Sequence, residues 1–299
     1  MHRHIIYIVN PISGTKSKSD LRLLIEQQTN AHNISFEIFP SVASGDYSFL
    51  HHAIGEKKAT DIVVAGGDGT VSQVVSSLMR HDINFGILPC GSGNGLAFTA
   101  GIPKQIINAL DVIFKGTSTP TDGFLINENF AVHLCGLGFD AKVAHDFAKQ
   151  PKRGLTTYIK QVIKNFLSAK TYHFELQLGE TIISTDAFFI SIANSNQFGN
   201  NFTIAPMASI SDGLLDIVIV THQQKLSFLL QTLRQSRGQI PLQTGVIETG
   251  KKGVVYFQAE RLTILNKGLA PLHIDGDPAE TNEKFEIAVK QRCFQLIHP

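Results

Sequence analysis

The stretch Ala65-Gly66-Gly67-Asp68-Gly69-Thr70 constrains this chain more than any other. Asp61 to Val64 just upstream reads as a short buried strand. Just downstream, Val71, Val74, Val75, Leu78 and Met79 recur at helical spacing. The segment therefore predicts a strand that passes through a glycine turn into a helix, whose first amides have no partners inside the helix. Glycines let backbone approach a bulky anion, and a helix N-terminus carries partial positive charge. Phosphate is the natural ligand of such a turn. Asp68 is the odd member, because a carboxylate repels phosphate unless a divalent cation or a transferable proton lies between. That pairing suggests chemistry on a nucleotide. On this segment alone, a tight structural turn with Asp68 as a helix cap stays open as the alternative. No G-x-x-x-x-G-K-[ST] occurs, so this is not a Walker loop.

Two further turns follow the same plan. Ile5 to Val9 is an apolar run ending at Asn10-Pro11-Ile12-Ser13-Gly14, and Phe85 to Pro89 runs into Gly91-Ser92-Gly93-Asn94-Gly95-Leu96-Ala97. Helices are expected around Leu21, Leu24 and Ile25, over Asp46 to Lys58 and over Ile106 to Phe114, with a strand at Ile34 to Phe39. Strands alternating with helices at this spacing imply a parallel sheet covered on both faces, with ligands at the carboxyl ends of the strands. All three glycine turns follow strands, so they should crowd one edge.

Past about residue 120 the texture changes. Phe124 to Ile126 with Phe130 to Leu134, and Phe174 to Leu178 with Ile182 to Ala193, read as two hairpins. Leu215 to Val220, Val254 to Gln258, Arg261 to Leu265 and Phe285 to Val289 add strands. An α/β domain over residues 1–122 is therefore expected to precede an all-β sandwich over 123–299 with two helical insertions. The last few residues are allowed to return to the first domain. In one insertion, spanning 154–169, Leu155, Tyr158, Ile159, Val162, Ile163 and Phe166 form an apolar stripe among Lys152, Arg153, Lys160, Lys164 and Lys170. Such a stripe packs on its own sheet or lies on an anionic membrane surface. The other insertion, with Leu226, Leu229, Leu230 and Leu233, reads as ordinary packing.

Composition narrows the function classes. With 299 residues, 26 Lys+Arg and 25 Asp+Glu, the chain has no basic excess to recommend a nucleic-acid partner. Cys90, Cys135 and Cys293 are scattered and odd in number, which fits reduced thiols. No apolar run approaches the length of a membrane span, and the five apolar residues after Met1-His2-Arg3-His4 are too few for a signal sequence. A cytoplasmic protein is the expectation.

The motifs together resemble a known family. Asn10 to Gly14, Gly66 to Thr70, Gly91 to Ala97, Pro206-Met207-Ala208-Ser209-Ile210-Ser211-Asp212-Gly213-Leu214-Leu215-Asp216 and Asp275-Gly276-Asp277 occur in the order seen in the diacylglycerol kinase catalytic family. That family includes bacterial lipid kinases and eukaryotic sphingosine and ceramide kinases. The resemblance implies a nucleotide-binding domain akin to NAD kinases and phosphofructokinases, joined to a β-sandwich lipid-binding domain. It implies ATP and Mg²⁺ as cofactors and a lipid hydroxyl as acceptor (diacylglycerol, a sphingoid base or a related lipid). It also implies peripheral contact at the inner membrane face, and leaves the oligomeric state open, a homodimer included. By position, Asn10, Pro11, Ser13, Gly14, Ser41, Gly66, Gly67, Asp68, Gly69, Thr70, Ser72, Gly91, Ser92 and Asn94 would contact nucleotide. Asp212 with the carbonyls of Ser209 and Leu214 would hold a divalent cation. For the proton acceptor Asp275, Asp277 and Asp68 compete; Asp275 is favoured, Asp277 supports or replaces it, and Asp68 organises the metal-nucleotide complex. Two positions depart from the pattern: Phe98 stands where many bacterial members have arginine, and Asp277 stands where glutamate is usual. An NAD kinase, and a catalytically inactive nucleotide-binding module, are the alternatives.

Overall fold

The computed structural model describes residues 3–13, 18–150, 157, 160–162, 164–165, 169–199, 202–221 and 254–299. The chain divides into two compact units, Met1–Thr121 with Arg292–Pro299, and Asp122–Gln291.

The first unit alternates strand and helix. In order these are β1 (His4–Val9), α1 (Lys18–Ala31), β2 (Ser35–Pro40), α2 (Leu50–Lys57), β3 (Asp61–Gly66), α3 (Asp68–Leu78), β4 (Asn84–Pro89), α4 (Gly95–Thr99) and α5 (Ile106–Lys115). The strands run β2-β1-β3-β4 and every pair is parallel. Near the end of the chain Gln295 and Leu296 extend the sheet beside Asn84 and Phe85, again parallel. Ile5 to Ile8 and Ile62 to Ala65 are fully buried, as strands covered on both faces must be. Registers Val9↔Ala65 and Gly66↔Pro89 bring the strand ends level, so the turns after β1, β3 and β4 share one edge.

Two local features depart from the sequence expectation or go beyond it. The helix expected over Asp46 to Lys58 begins only at Leu50, because the Asp46 carboxylate accepts the Ser48 amide and holds a turn there. Arg3 forms a two-pronged pair with buried Asp61 (2.7 and 3.2 Å) and donates to the carbonyls of Ile113 and Phe114 at the end of α5. It thereby satisfies helix-terminal carbonyls that have no partner within the helix.

The second unit is antiparallel. The chain enters it along β5 (Thr117–Ile126) and continues through β6 (Asn129–Ala131), β7 (Leu134–Gly138), α6 (Phe139–Ala148), β8 (Tyr172–Leu178) and β9 (Thr181–Ala193). After β10 (Gln197–Gly199) and β11 (Phe202–Thr203) come β12 (Leu215–Thr221), β13 (Val254–Ala259), β14 (Arg261–Leu265), β15 (Leu272–Ile274), β16 (Asp277–Ala279) and β17 (Lys284–His298), which leads out. β9 is central, pairing with β7, β8 and β12. On β12, Leu215, Ile217 and Ile219 enter one core while Val218 and Val220 enter a second with Phe139 and Val143 of α6. Burial on both faces explains why that strand reads as one continuous apolar run. The fold is thus an α/β unit followed by a β-sandwich.

Three details correct the sequence reading. The strand expected over Phe130 to Leu134 splits: β6 ends at Ala131, Val132 and His133 turn a corner, and β7 begins at Leu134. Helix α6 was not anticipated, because Asp140, Ala141, Ala144 and His145 dilute its apolar face. Most of the 154–169 stripe, and all of Leu226 to Leu233, lie outside the described residues. Of the described part, Gln161, Val162 and Asn165 are buried, Lys160 and Lys164 are exposed, and Val162 packs with the Phe139 core. Among the described residues no helix is long and apolar enough to cross a membrane.

Candidate active site

At the shared edge of the parallel sheet the glycine turns are bonded to one another. The Asn10 amide donates to the Ala65 carbonyl, the Ser41 amide to Val9, and the Cys90 and Gly91 amides to Gly66 (2.9 to 3.1 Å). The Asn10 side chain donates to Thr70 Oγ1 at 2.9 Å, tying the first turn to the second. Gly67 and Gly91 touch backbone to backbone: a Cβ on Gly91 would lie 2.5 Å from the Gly67 Cα, and one on Gly67 3.2 Å from the Gly91 Cα. Asn94 adopts the left-handed conformation that asparagine tolerates, and clasps Gly91 with Oδ1 accepting its amide (2.7 Å) and Nδ2 donating to its carbonyl (2.8 Å).

Asp68 has a defined partner. Its two carboxylate oxygens accept the amides of Gly95 and Leu96, at 3.0 and 3.1 Å, at the start of α4. It therefore caps a helix belonging to the third turn, which fixes the spacing between the second and third glycine turns. Within α3 the first hydrogen bond runs from Val71 to Gly67, so the amides of Asp68, Gly69 and Thr70 precede the helical ladder. Ser72 is buried one turn further on, Ser92 is half-buried, and the Ser41 hydroxyl bonds to Tyr47. Pro11 is exposed, Ser13 donates back to the Asn10 carbonyl, and Gly14 lies outside the described residues.

Gly67 sits at φ −102°, ψ −179°, extended backbone that any residue can adopt, so its constraint is contact and not strain. Gly91→Ala is the harsher change, because its Cβ meets backbone that cannot rotate away. We expect Gly91→Ala to weaken nucleotide binding at least about tenfold (roughly 1.4 kcal/mol), measured by calorimetric titration in a variant of native circular dichroism. Unchanged affinity would remove this edge from the binding site.

In the second unit Asp275 and Gly276 form a two-residue turn between β15 and β16, with φ of +50° and +82°. This Asp-Gly pair is the hairpin chemistry that positive φ at both positions demands. The Asp275 carboxylate points inward and accepts three amides, those of Val132, His133 and Leu134 (3.0 to 3.1 Å). Asp275 is buried, and Asp277, two residues on, is exposed. One motif thus holds two carboxylates in opposite environments.

The Ser209–Leu214 segment is braced by Asp122. The Asp122 amide donates to the Ile210 carbonyl, and its carboxylate accepts the Gly213 amide at 2.8 Å. Asp212 is exposed and accepts the Leu214 amide. Nearby on β12, burial pushes the Asp216 carboxyl up to about 6 against hydrogen bonds from Tyr256 and Gln258, and the Asp212 charge adds to the rise. Among the described residues no three His, Cys, Asp or Glu side chains cluster as a metal site. A cation here would rely on one or two carboxylates and backbone carbonyls. That all-oxygen donor set fits Mg²⁺, whose charge would relieve the repulsion between Asp212 and Asp216. Sequence reading passed over Asp122, Asp140 and His273; the available signal was His273 two residues ahead of Asp275.

A parallel sheet whose carboxyl edge gathers three glycine turns is joined in the chain to a β-sandwich, and the family matches of the two parts make this a phosphotransferase of the kinase class. Residues 4–126 match the family described as diacylglycerol kinase catalytic domain, and residues 134–289 match the YegS C-terminal NAD kinase beta sandwich-like domain. The chain belongs to this family of lipid kinases. It is 28% identical to a probable lipid kinase YegS-like of Shewanella frigidimarina, over 99% of this chain and 94% of that one. It is 22% identical to a diacylglycerol kinase of Bacillus subtilis, over 90% and 88%. A crystal structure of a diacylglycerol kinase from Bacillus anthracis str. Sterne shares the fold, with TM-score 0.74 at 18% identity over 100% of this chain and 97% of that one.

Proposed function

We propose that this chain is an ATP- and Mg²⁺-dependent kinase that transfers the γ-phosphate to the hydroxyl of a membrane lipid such as diacylglycerol or a sphingoid base. The observation that carries this reading is the edge where Gly67 and Gly91 meet backbone to backbone, Gly66 accepts the Gly91 amide, and Asp68 ties the second turn to the third. No lysine lies within the three turns, so Mg²⁺ supplies charge neutralisation when bound. Asp212 with the Ser209 and Leu214 carbonyls would hold a cation that keeps its own segment in shape.

For the proton acceptor this reading prefers Asp277 to Asp275. A base must lie where a substrate proton can reach it. Asp275 is committed to three backbone amides in the interior, whereas Asp277 is exposed at the start of β16. Asp275 shapes the turn, and Asp277 takes the hydroxyl proton as the phosphoryl group moves. Because the acceptor is a lipid, the reaction takes place in peripheral contact with a membrane surface.

The direct test offers the purified protein labelled ATP, Mg²⁺ and a panel of hydroxyl-bearing lipids in mixed micelles. A phosphorylated lipid is expected and NADP from NAD is not. NADP formation would favour the NAD kinase alternative, and nucleotide binding without transfer to any lipid would favour an inactive module. In the same preparation Asp212→Ala is expected to abolish the rise in melting temperature that Mg²⁺ gives the wild type, with excess Mg²⁺ unable to restore it. An unaltered response would leave Asp212 as a turn residue only.

A further inference from the structure

The hairpin that carries Asp275 and Asp277 is held from behind by a buried histidine. His273 lies on β15 opposite Gly136 of β7 and is 2% exposed. Its Nδ1 stands 3.3 Å from the Gly276 amide nitrogen, and its Nε2 3.4 Å from Oδ2 of Asp140. A backbone amide can only donate, so Nδ1 accepts and carries no proton; Nε2 then holds the hydrogen and donates it to the carboxylate. The tautomer is set from both ends.

The surroundings are shaped for this pair. A Cβ on Gly136 would lie 1.9 Å from Asp140 Oδ2 and 2.7 Å from His273 Nε2, so only glycine leaves room. Asp140 sits in the first turn of α6, where its other oxygen accepts the Ala141 amide at 2.8 Å. Further along the same helix His145 Nε2 donates to the Leu272 carbonyl at 2.7 Å. Helix α6 thus grips the hairpin at two successive residues, Leu272 and His273. Cys135 beside them has its thiol pushed well up by burial and by the charges of Asp275 and Asp140, so it stays neutral.

We infer that His273, oriented by Asp140, is a positioning residue for phosphoryl transfer. It fixes the Gly276 amide and thereby the direction in which the next residue, Asp277, presents its carboxylate. The inference rests on the reading of Asp277 as proton acceptor. The turn has two holds: Asp275 ties one of its residues to the β6–β7 corner, and His273 ties the other. With the second released, Asp277 loses its aim, and a misplacement near 1 Å costs on the order of a hundredfold in rate.

The experiment uses two variants of the full chain. His273→Gln keeps a polar group near the position of Nε2 and removes the acceptor from Gly276; His273→Asn places a carbonyl oxygen near the position of Nδ1 and retains it. His273→Gln is expected to lower kcat roughly ten- to a hundredfold with KM for ATP and melting temperature unchanged, and His273→Asn to recover most of that loss. Long-range ¹⁵N–¹H NMR of the wild-type imidazole should report the Nε2–H tautomer, and the Gly276 amide resonance should shift in the Gln variant but not in the Asn variant. An Nδ1–H tautomer, wild-type kcat in His273→Gln, or a parallel loss of kcat and melting temperature without rescue by Asn would each overturn the inference. Asp277→Asn, measured alongside, separates the two readings. Full turnover in it removes the proposed base and this inference together; collapse in it beside a normal His273→Gln removes the inference alone.

Discussion

Asp277→Asn is expected to lower lipid turnover roughly 10²- to 10⁴-fold while leaving Mg-ATP affinity as it is. The substitution preserves size and the start of β16, and Asp277 is exposed, so little packing is at stake. What disappears is the basic carboxylate that we propose takes the hydroxyl proton. Three variants read together assign the carboxylates. Asp68→Asn should weaken nucleotide binding, because the two carboxylate oxygens each accept one amide, from Gly95 and Leu96, and the donor NH2 that replaces one oxygen would face an amide donor. Asp275→Asn should act mainly on stability, for the same reason at three amides. Full turnover in Asp277→Asn, with collapse in Asp68→Asn at unchanged ATP affinity, would hand the role of base to Asp68. Asp277→Glu should retain activity, since the exposed position has room for one more methylene.

The second large effect is on folding. Asp275→Ala should destabilise the protein by about 3 kcal/mol or more, since three buried amides lose their acceptor and each unsatisfied donor costs about 1–3 kcal/mol. Urea unfolding followed by circular dichroism in the far ultraviolet would show a lower midpoint, and a drop below about 1 kcal/mol would mean that water replaces the carboxylate. Alanine adds a further penalty at φ +50°, a conformation that asparagine and aspartate tolerate better. Asp275→Asn, which keeps that tolerance, should fall between alanine and wild type. The two predictions pull one motif apart into Asp275, which holds the turn, and Asp277, which is proposed to react.

Much of the first unit was legible because its signals are local. β1, β3 and β4 are apolar runs that end at or just before glycine or a polar-proline turn, and the parallel register follows from the strand–helix alternation. The crowding of three turns along one edge could be foreseen from that alternation alone. What could not be foreseen was who touches whom across the edge: Asp68 reads as a phosphate-loop carboxylate or as a cap of its own helix, and it caps α4, 27 residues further on. The same limit applies in the second unit. Asp-Gly in Asp275-Gly276 announces a hairpin turn by composition, yet its three amide partners are more than 140 residues earlier in the chain. Helix α6 escaped because its buried face includes Asp140, a polar residue with one oxygen on the neighbouring Ala141 amide and the other facing a histidine that arrives 133 positions later. Periodicity records which faces are apolar. It does not record buried polar pairs.

The first unit contains residues 292–299 as well as 1–121, and its sheet is extended by Gln295 and Leu296. The β-sandwich is therefore an insertion within the α/β unit, and the order of synthesis acquires a physical meaning. A ribosome releases the four strands β1 to β4 early, with the flank of β4 lacking its neighbour until the entire sandwich has been made. The sandwich, continuous from 122 to 291, can fold on its own schedule in the meantime. Its closure shortens the distance that the final strand must search, and turns a long loop into a short one at a modest entropic cost. A nascent chain arrested before residue 292 would carry all three glycine turns and still present an unpaired strand edge to its surroundings.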